Sequence, residues 1–172
     1  MTGGFYLRPL LHTDFDRVLE LERALFGAGA WTYGMLADEL GAWGREYLVA
    51  VEGDHDAVGR LGAGLRAPLA HQVIGYAGLW FDGDVTQIMT IGTDPAWQRR
   101  GVGRALLTAM IDRSRALGAS AVLLEVAVDN APALALYTGF GFTTLRTRKG
   151  YYQPENKDAY SMQLLLDAKD DQ

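Results

Sequence analysis

The chain has 172 residues, 49% of them hydrophobic, which is enough for one domain with its own core. Its net charge of −5 argues against a nucleic-acid surface, because phosphate backbones select basic patches. Cysteine is absent, which excludes disulfides, thiolate zinc ligands and a cysteine nucleophile, and favours a reducing compartment. No secretion signal opens the chain, and no stretch approaches the roughly 20 apolar residues of a membrane span. We expect a single cytoplasmic domain, residues 1–172, without a membrane partner.

Short strands and helices alternate in the first half of the chain. Alternating apolar residues predict three strands, at 5–9, 46–51 and 72–81. Thr13 is predicted to cap a helix that Gly27 ends, and Thr32 is predicted to cap a second, shorter helix. Three aromatic residues near these helices are expected in the core rather than along a substrate groove: Phe26, Trp31 and Tyr33.

The segment at 53–71 is rich in Gly, Ala and Asp and shows no periodicity. We interpret it as a long flexible loop, and the polar tail at 167–172 as frayed. The histidines at 12, 55 and 71 are isolated and lack carboxylates at ligand spacing. The sequence therefore predicts solvated histidines and no metal site.

The stretch Gln98-Arg99-Arg100-Gly101-Val102-Gly103 lies between a predicted strand at 85–93 and a strongly periodic helix that runs to about Leu117. Glycines at a helix start let a ligand approach the backbone closely. The first amides of a helix have no intrahelical partner, and the macrodipole adds partial positive charge there. With Arg99, Arg100 and Arg104 beside it, this stretch predicts a backbone cradle for a pyrophosphate.

Two other kinds of phosphate-binding loop are excluded, because this sequence lacks residues that their motifs require. A Walker loop needs Gly-Lys-Ser/Thr, whereas Gly103 is followed by arginine and alanine, and a dinucleotide loop needs a third glycine where Leu106 stands. The plain alternative is a strand-to-helix turn with solvated arginines. In the preceding strand, Gly92 marks either a bulge, a close ligand approach, or tolerance near a strand end.

The second half contains two candidate catalytic residues. A nearly continuous apolar strand at 121–128 contains one charge, Glu125, and a buried carboxylate is costly unless it is paired, solvated or protonated. The alternative for Glu125 is an ion pair with a neighbouring arginine. Asn130 is predicted to cap a short helix that ends near Gly139, and Tyr137 on it is either a proton donor or a core tyrosine. Two final strands are predicted at 142–148 and 160–166.

These motifs together resemble a known family. The form Q-x-x-G-x-G between strand and helix resembles the coenzyme A loop of the GNAT N-acetyltransferases. Leu124-Glu125-Val126, then Asn130, Ala135-Leu136-Tyr137 and Gly141-Phe142, resemble the second half of the RimI-type ribosomal-protein-alanine N-acetyltransferases. The resemblance is strong over 85–152, and includes Gly150-Tyr151-Tyr152. It implies an α/β (α+β) GNAT fold with one mixed sheet of six to seven strands, about four flanking helices, and a splay between strands 4 and 5.

The resemblance also implies roles for individual residues. Glu125 matches the general base for the substrate amine, and Tyr137 the general acid for the departing thiolate. The strand segment of Ile91, Gly92 and Thr93 matches the main chain that pairs with the acetyl and pantetheine portion, although the family usually has Val-Ala-Val there. The matches to coenzyme-contacting positions are Arg99, Arg100, Gly101, Val102, Gly103, Arg104 and Asn130. Ala127 departs from the family, many of whose members have arginine there.

The implied activity is acetyl-CoA-dependent transfer to the α-amine of a protein or peptide, with an alanine-starting ribosomal protein as the expected acceptor. No covalent intermediate is expected, because cysteine and a Ser-His pair at a glycine elbow are both missing. The alternatives are a small-molecule amine acetyltransferase, a lysine acetyltransferase, and a non-catalytic coenzyme A-binding module. No nucleic-acid partner is expected, and the expected assembly is a monomer or weak dimer.

Overall fold

The computed structural model describes residues 4–53 and 72–167, and these build one mixed sheet with helices on both faces. The seven strands are β1 (Phe5–Pro9), β2 (Arg45–Glu52), β3 (Val73–Phe81), β4 (Thr86–Thr93), β5 (Ala121–Ala127), β6 (Thr143–Tyr152) and β7 (Lys157–Leu165). The four helices of this part of the chain are α1 (Phe15–Phe26), α2 (Tyr33–Gly41), α3 (Val102–Ala116) and α4 (Ala131–Gly139). The strand order β1-β2-β3-β4-β5-β7-β6 confirms the predicted mixed sheet.

The sheet separates between β4 and β5, the parallel pair at its centre. Their register consists of Thr86 with Val122 and Gln87 with Leu123, at the start of both strands. Beyond these two pairs, each strand pairs only on its other edge. There β4 pairs with β3 as far as Thr93, and β5 pairs with β7 along its whole length. The predicted splay is therefore confirmed, and the backbone edges of β4 and β5 that face each other are open beyond Gln87.

Two apolar clusters hold the helices against opposite faces of the sheet. On one face, the buried residues of α3 pack with alternate residues of β5, namely Val122, Leu124 and Val126. On the other face, the apolar side of α1 packs on Val49, Val51 and Tyr76. Because strand side chains alternate between faces, Glu125 points to the α1 side.

Several local predictions need correction. Thr13 does not cap α1; it lies in a short 3₁₀ turn, His12–Asp14, and Asp14 precedes the helix. Phe26 and Tyr33 were expected in the core but are 44% and 55% exposed. Their positions follow the apolar period of the two helices, but this period does not show which positions the rest of the fold covers.

The predictions for 54–71, including His55 and His71, and for the end of the tail at 168–172 lie outside the described residues. Among the residues that the structure does describe, no helix has both the length and the apolar character needed to cross a membrane.

Candidate active site

The loop before α3 presents backbone amides without a side-chain cap. Gly101 is the N-cap residue, with φ of 87°, and it has no side chain to satisfy the first amides of the helix. Arg99 also has a positive φ, 59°, which is uncommon outside glycine and folds the loop back towards the helix start. The amides of Val102, Gly103 and Arg104 therefore lack intrahelical partners, as helix geometry requires. This arrangement fits a bound phosphate.

Contacts on both sides fix the position of this loop. Asp94 caps the preceding 3₁₀ turn, Pro95–Trp97, by accepting from the amide of Ala96 at 2.8 Å, and its carboxylate also pairs with Arg17 of α1. The guanidinium of Arg100 lies 5.0 Å from the centre of the Trp97 ring, and that of Arg104 lies 5.1 Å from the Phe140 ring. Two of the three arginines are thus held against aromatic faces at the loop rather than simply solvated.

The segment Ile91-Gly92-Thr93 lies on the β4 edge that the splay opens. Its other edge pairs with β3, where Tyr76 is opposite Gly92. A Cβ on Gly92 would lie 2.5 Å from the Tyr76 hydroxyl, so the tyrosine explains this glycine, and tolerance near a strand end does not. The bulge in β4 lies elsewhere, at Met89, where the register with β3 shifts.

Glu125 is paired rather than isolated. Its carboxylate accepts from the Ser161 hydroxyl at 2.8 Å on Oε1 and 2.7 Å on Oε2, and from Arg148 Nη1 at 3.1 Å on Oε1. The side chain is 14% exposed. The arginine ion pair considered as the alternative for Glu125 is therefore present, and it runs from β5 across β7 to β6.

Tyr137 is buried on α4, with its ring 5.8 Å from that of Phe142. Burial raises its pKa well above the usual value near 10, and the nearby Tyr152 raises it further. Burial, then Tyr151 and Glu125, raise the pKa of Tyr152 to about 12. Tyr152 therefore lies near both predicted catalytic residues, Glu125 and Tyr137. The raised pKa also means that Tyr137 keeps its proton at neutral pH.

Asn130 caps α4 as predicted, with its side-chain oxygen accepting from the Ala133 amide at 3.3 Å. Its predicted contact with the coenzyme stays a prediction. In the described ranges, no group of three or more His, Asp or Glu side chains is arranged to hold a metal ion.

The sequence reasoning missed three residues that contact the site. Ser161 and Arg148 bind Glu125 from two other strands, and only the pairing register brings them together. Glu22 of α1 is 2% exposed and accepts from Thr90 of β4 at 2.7 Å. A charged residue inside the apolar face of a predicted helix was a signal that could have identified Glu22.

With this geometry established, comparison with known proteins identifies the class. The sequence model described as "Acetyltransferase (GNAT) family" matches residues 15–142. The chain belongs to this family, and it is therefore an acetyl-CoA-dependent acyltransferase, as the resemblance of its motifs had implied.

Individual relatives narrow the resemblance to the RimI type. N-alpha-acetyltransferase RimI of Mycobacterium tuberculosis is 35% identical over 158 residues, which is 89% of this chain and 87% of that protein. The crystal structure of the ribosomal-protein-S18-alanine N-acetyltransferase from Escherichia coli superposes with a TM-score of 0.77 at 24% identity, covering 97% of this chain and 98% of that one. Arabidopsis thaliana NAA60 in complex with acetyl-CoA superposes with a TM-score of 0.78 at 18% identity, covering 95% and 99%.

Proposed function

We propose that the protein transfers the acetyl group of acetyl-CoA to the N-terminal α-amine of a protein, with an alanine-starting ribosomal protein as the acceptor. The observation that supports this most is the open β4–β5 edge, which has the uncapped start of α3 on one side and Glu125 on the other. The names of the RimI relatives supply the acceptor class. Because such an acceptor is made on the ribosome, we place the reaction in the cytoplasm.

The residues of the loop fit the coenzyme's pyrophosphate. Its charge would be held by the amides of Val102, Gly103 and Arg104, since Gly101 leaves them uncapped and the helix dipole favours an anion there. Arg99, Arg100 and the open edge at Ile91-Gly92-Thr93 would hold the rest of the molecule, and Asn130 lies at the start of the adjacent helix α4. The bound coenzyme supplies the thioester.

Proton transfer is assigned to the two predicted catalytic residues. Glu125 takes a proton from the acceptor's ammonium, directly or through water, and the freed amine attacks the thioester carbonyl. As the carbon–sulfur bond breaks, Tyr137 gives its proton to the departing thiolate. The nitrogen loses its second proton as the amide forms, and that proton returns to Tyr137 through water. Each such step contributes about 10²–10⁴-fold. Because burial raises the pKa of Tyr137, its hydroxyl carries a proton at neutral pH and is present as a donor.

An α-amine is an easier acceptor than a lysine side chain. Its pKa is near ~8, compared with ~10.4 for lysine, so less work is needed to deprotonate it near neutral pH. This difference favours N-terminal acceptors, although the same coenzyme loop would serve a small-molecule amine or a lysine. A non-catalytic coenzyme-binding module would need neither Glu125 nor Tyr137.

A peptide panel tests the proposal. Peptides that begin with Ala, Ser, Met or Pro, each with one internal lysine, are incubated with acetyl-CoA and read by fragment mass. The matched controls are the same Ala peptide with a blocked amino terminus, and a polyamine. We expect acetate on the α-nitrogen of the Ala peptide and none on the blocked control. Acetate only on lysine or only on the polyamine would overturn the acceptor class.

A further inference from the structure

Two rows of side chains cross β5, β7 and β6 on the face that carries Glu125. In one row, Glu125 is opposite Ser161, which is opposite Arg146. In the next row, Ala127 is opposite Ala159, which is opposite Arg148. Since directly opposed residues share a face, all six side chains stand on the same side of the sheet.

Arg148 reaches Glu125 diagonally, from the neighbouring row and from two strands away. The path crosses Ala159, which is fully buried although its side chain is only a methyl group. On its other side the guanidinium of Arg148 stacks 4.4 Å from the centre of the Tyr151 ring. Arg148 is therefore held between an aromatic face and a carboxylate, a geometry that suits its planar group.

The hydrogen bonds of Glu125 are divided unequally between its two oxygens. Oε1 accepts from both Arg148 and Ser161, whereas within the described residues Oε2 accepts from Ser161 alone. One hydroxyl proton serves both oxygens from Ser161, so Oε2 keeps acceptor capacity to spare. Oε2 is the oxygen left available to an incoming amine.

We propose that Arg148 is a positioning residue for Glu125, holding the carboxylate so that Oε2 faces the acceptor amine, and that Ala159 is small because Arg148 crosses it. This inference rests on the proposed role of Glu125 as the base. It assigns a function to an ion pair between an arginine that is 42% exposed and a glutamate that is 14% exposed.

The experiment is a double-mutant cycle of Arg148→Gln and Glu125→Gln, with Arg146→Gln as the matched control. Arg146 lies on the same strand and face, but no described hydrogen bond or ion pair joins it to Glu125. Turnover is read as thiol release with whichever acceptor of the panel reacts fastest, so the cycle does not depend on the acceptor being an N-terminus. Melting temperature and the Kd for coenzyme A are measured for each variant.

Arg148→Gln should lower kcat about 10- to 100-fold, as loss of alignment at a reacting group does, with the Kd for coenzyme A and the melting temperature unchanged. In the Glu125→Gln background the same change should cost less than about twofold, because coupled residues are not additive. Arg148→Lys, which keeps the charge without the planar fork, should recover part of the loss.

Three of the following outcomes would overturn the inference, and one would overturn only the acceptor class. Full additivity of the two substitutions would show that Arg148 does not act through Glu125. An equal loss in Arg146→Gln would indicate a general effect of surface charge. A panel in which lysine or a polyamine reacts fastest, with the cycle still coupled, would refute the acceptor class alone. A chain that acetylates nothing in the panel would refute both proposals.

Discussion

The two sides of the β4–β5 opening are built in different ways. On the β4 side, the proposed coenzyme cradle is a continuous stretch from Ile91 to Arg104, and its proposed function rests on backbone groups. On the β5 side, Glu125 depends on Ser161 and Arg148, which are 36 and 23 residues further along the chain. A backbone site is specified by local sequence, whereas a side-chain site is specified by register. Substitutions on the β4 side should therefore weaken coenzyme binding, whereas substitutions on the β5 side should slow turnover.

The largest effect should come from Glu125→Gln. Glutamine keeps the shape and can still accept from Ser161, but it cannot take a proton, so kcat should fall about 10²–10⁴-fold while the Kd for coenzyme A changes little. Single-turnover rates and calorimetry measure the two quantities. Glu155→Gln, at an exposed position of the β6–β7 hairpin, is the control. Undiminished turnover in Glu125→Gln at neutral pH would remove Glu125 from the role of base.

Tyr137→Phe should lower kcat by about the same factor as Glu125→Gln, because the departing thiolate loses its proton donor. Its pH dependence gives a sharper test. Since burial raises the pKa of Tyr137 above its usual value, the tyrosine stays protonated through neutral and mildly alkaline pH. The wild-type rate should therefore not decline between about pH 7 and 9. A decline in that range that Tyr137→Phe abolishes would contradict the raised pKa. Full turnover in Tyr137→Phe would remove Tyr137 from the role of acid; Tyr33→Phe, at an exposed ring, is the control.

On the coenzyme side, Gly103→Asp should weaken binding without harming the fold. A Cβ at this position meets only ordinary contacts, at 3.6 Å from Thr93 Oγ1 and 3.7 Å from Leu136 Cδ2. The new carboxylate would occupy the first amides of α3 and repel a diphosphate, so the Kd for coenzyme A should rise about 10- to 100-fold, or about 1.4–2.8 kcal/mol. Isothermal titration measures it.

The matched control for this change is Gly34→Asp, in the first turn of α2, where a Cβ meets nothing within 4 Å. It adds the same charge to another helix start and should leave the Kd unchanged. Equal weakening by both variants would show a general charge effect rather than a phosphate site at α3.

The smallest predicted effect lies away from both sides, at Asp14. Burial opposes ionisation of Asp14, but hydrogen bonds from Arg8 and the Leu11 amide outweigh it and lower the net pKa. Because the folded pKa lies below the unfolded one, the stabilisation is present above about pH 4 and is lost as the pH falls through the folded value. Asp14→Asn should cost about 1–2 kcal/mol at pH 7 and less at pH 3, as measured by urea unfolding. A constant cost across that range would contradict the linkage.

The difference between the two sides also decides what the sequence could predict. The position of the loop between β4 and α3, the helix α3 itself, and the caps Thr32 and Asn130 are local features, and the structure confirms them. The sequence suggested an ion pair between Glu125 and an arginine, but it could not identify Arg148 as the partner. A register shift in β6 between Thr144 and Arg146 decides which β6 side chains lie on the same face as Glu125. The sequence also left the reason for Gly92 open, because Tyr76, the residue that a Cβ at this position would meet, belongs to another strand.

The central claim is that the uncapped amides at the start of α3 bind a diphosphate. Calorimetric titration with coenzyme A and, separately, with pantetheine, which lacks both the diphosphate and the nucleotide beyond it, tests it most directly when Gly103→Asp is titrated beside the wild-type protein and is expected to lose affinity for coenzyme A alone. The account predicts a saturable one-to-one isotherm for coenzyme A and binding at least about 100-fold weaker for pantetheine, a difference of about 2.8 kcal/mol. Equal affinity for the two ligands, or no heat with coenzyme A, would contradict it.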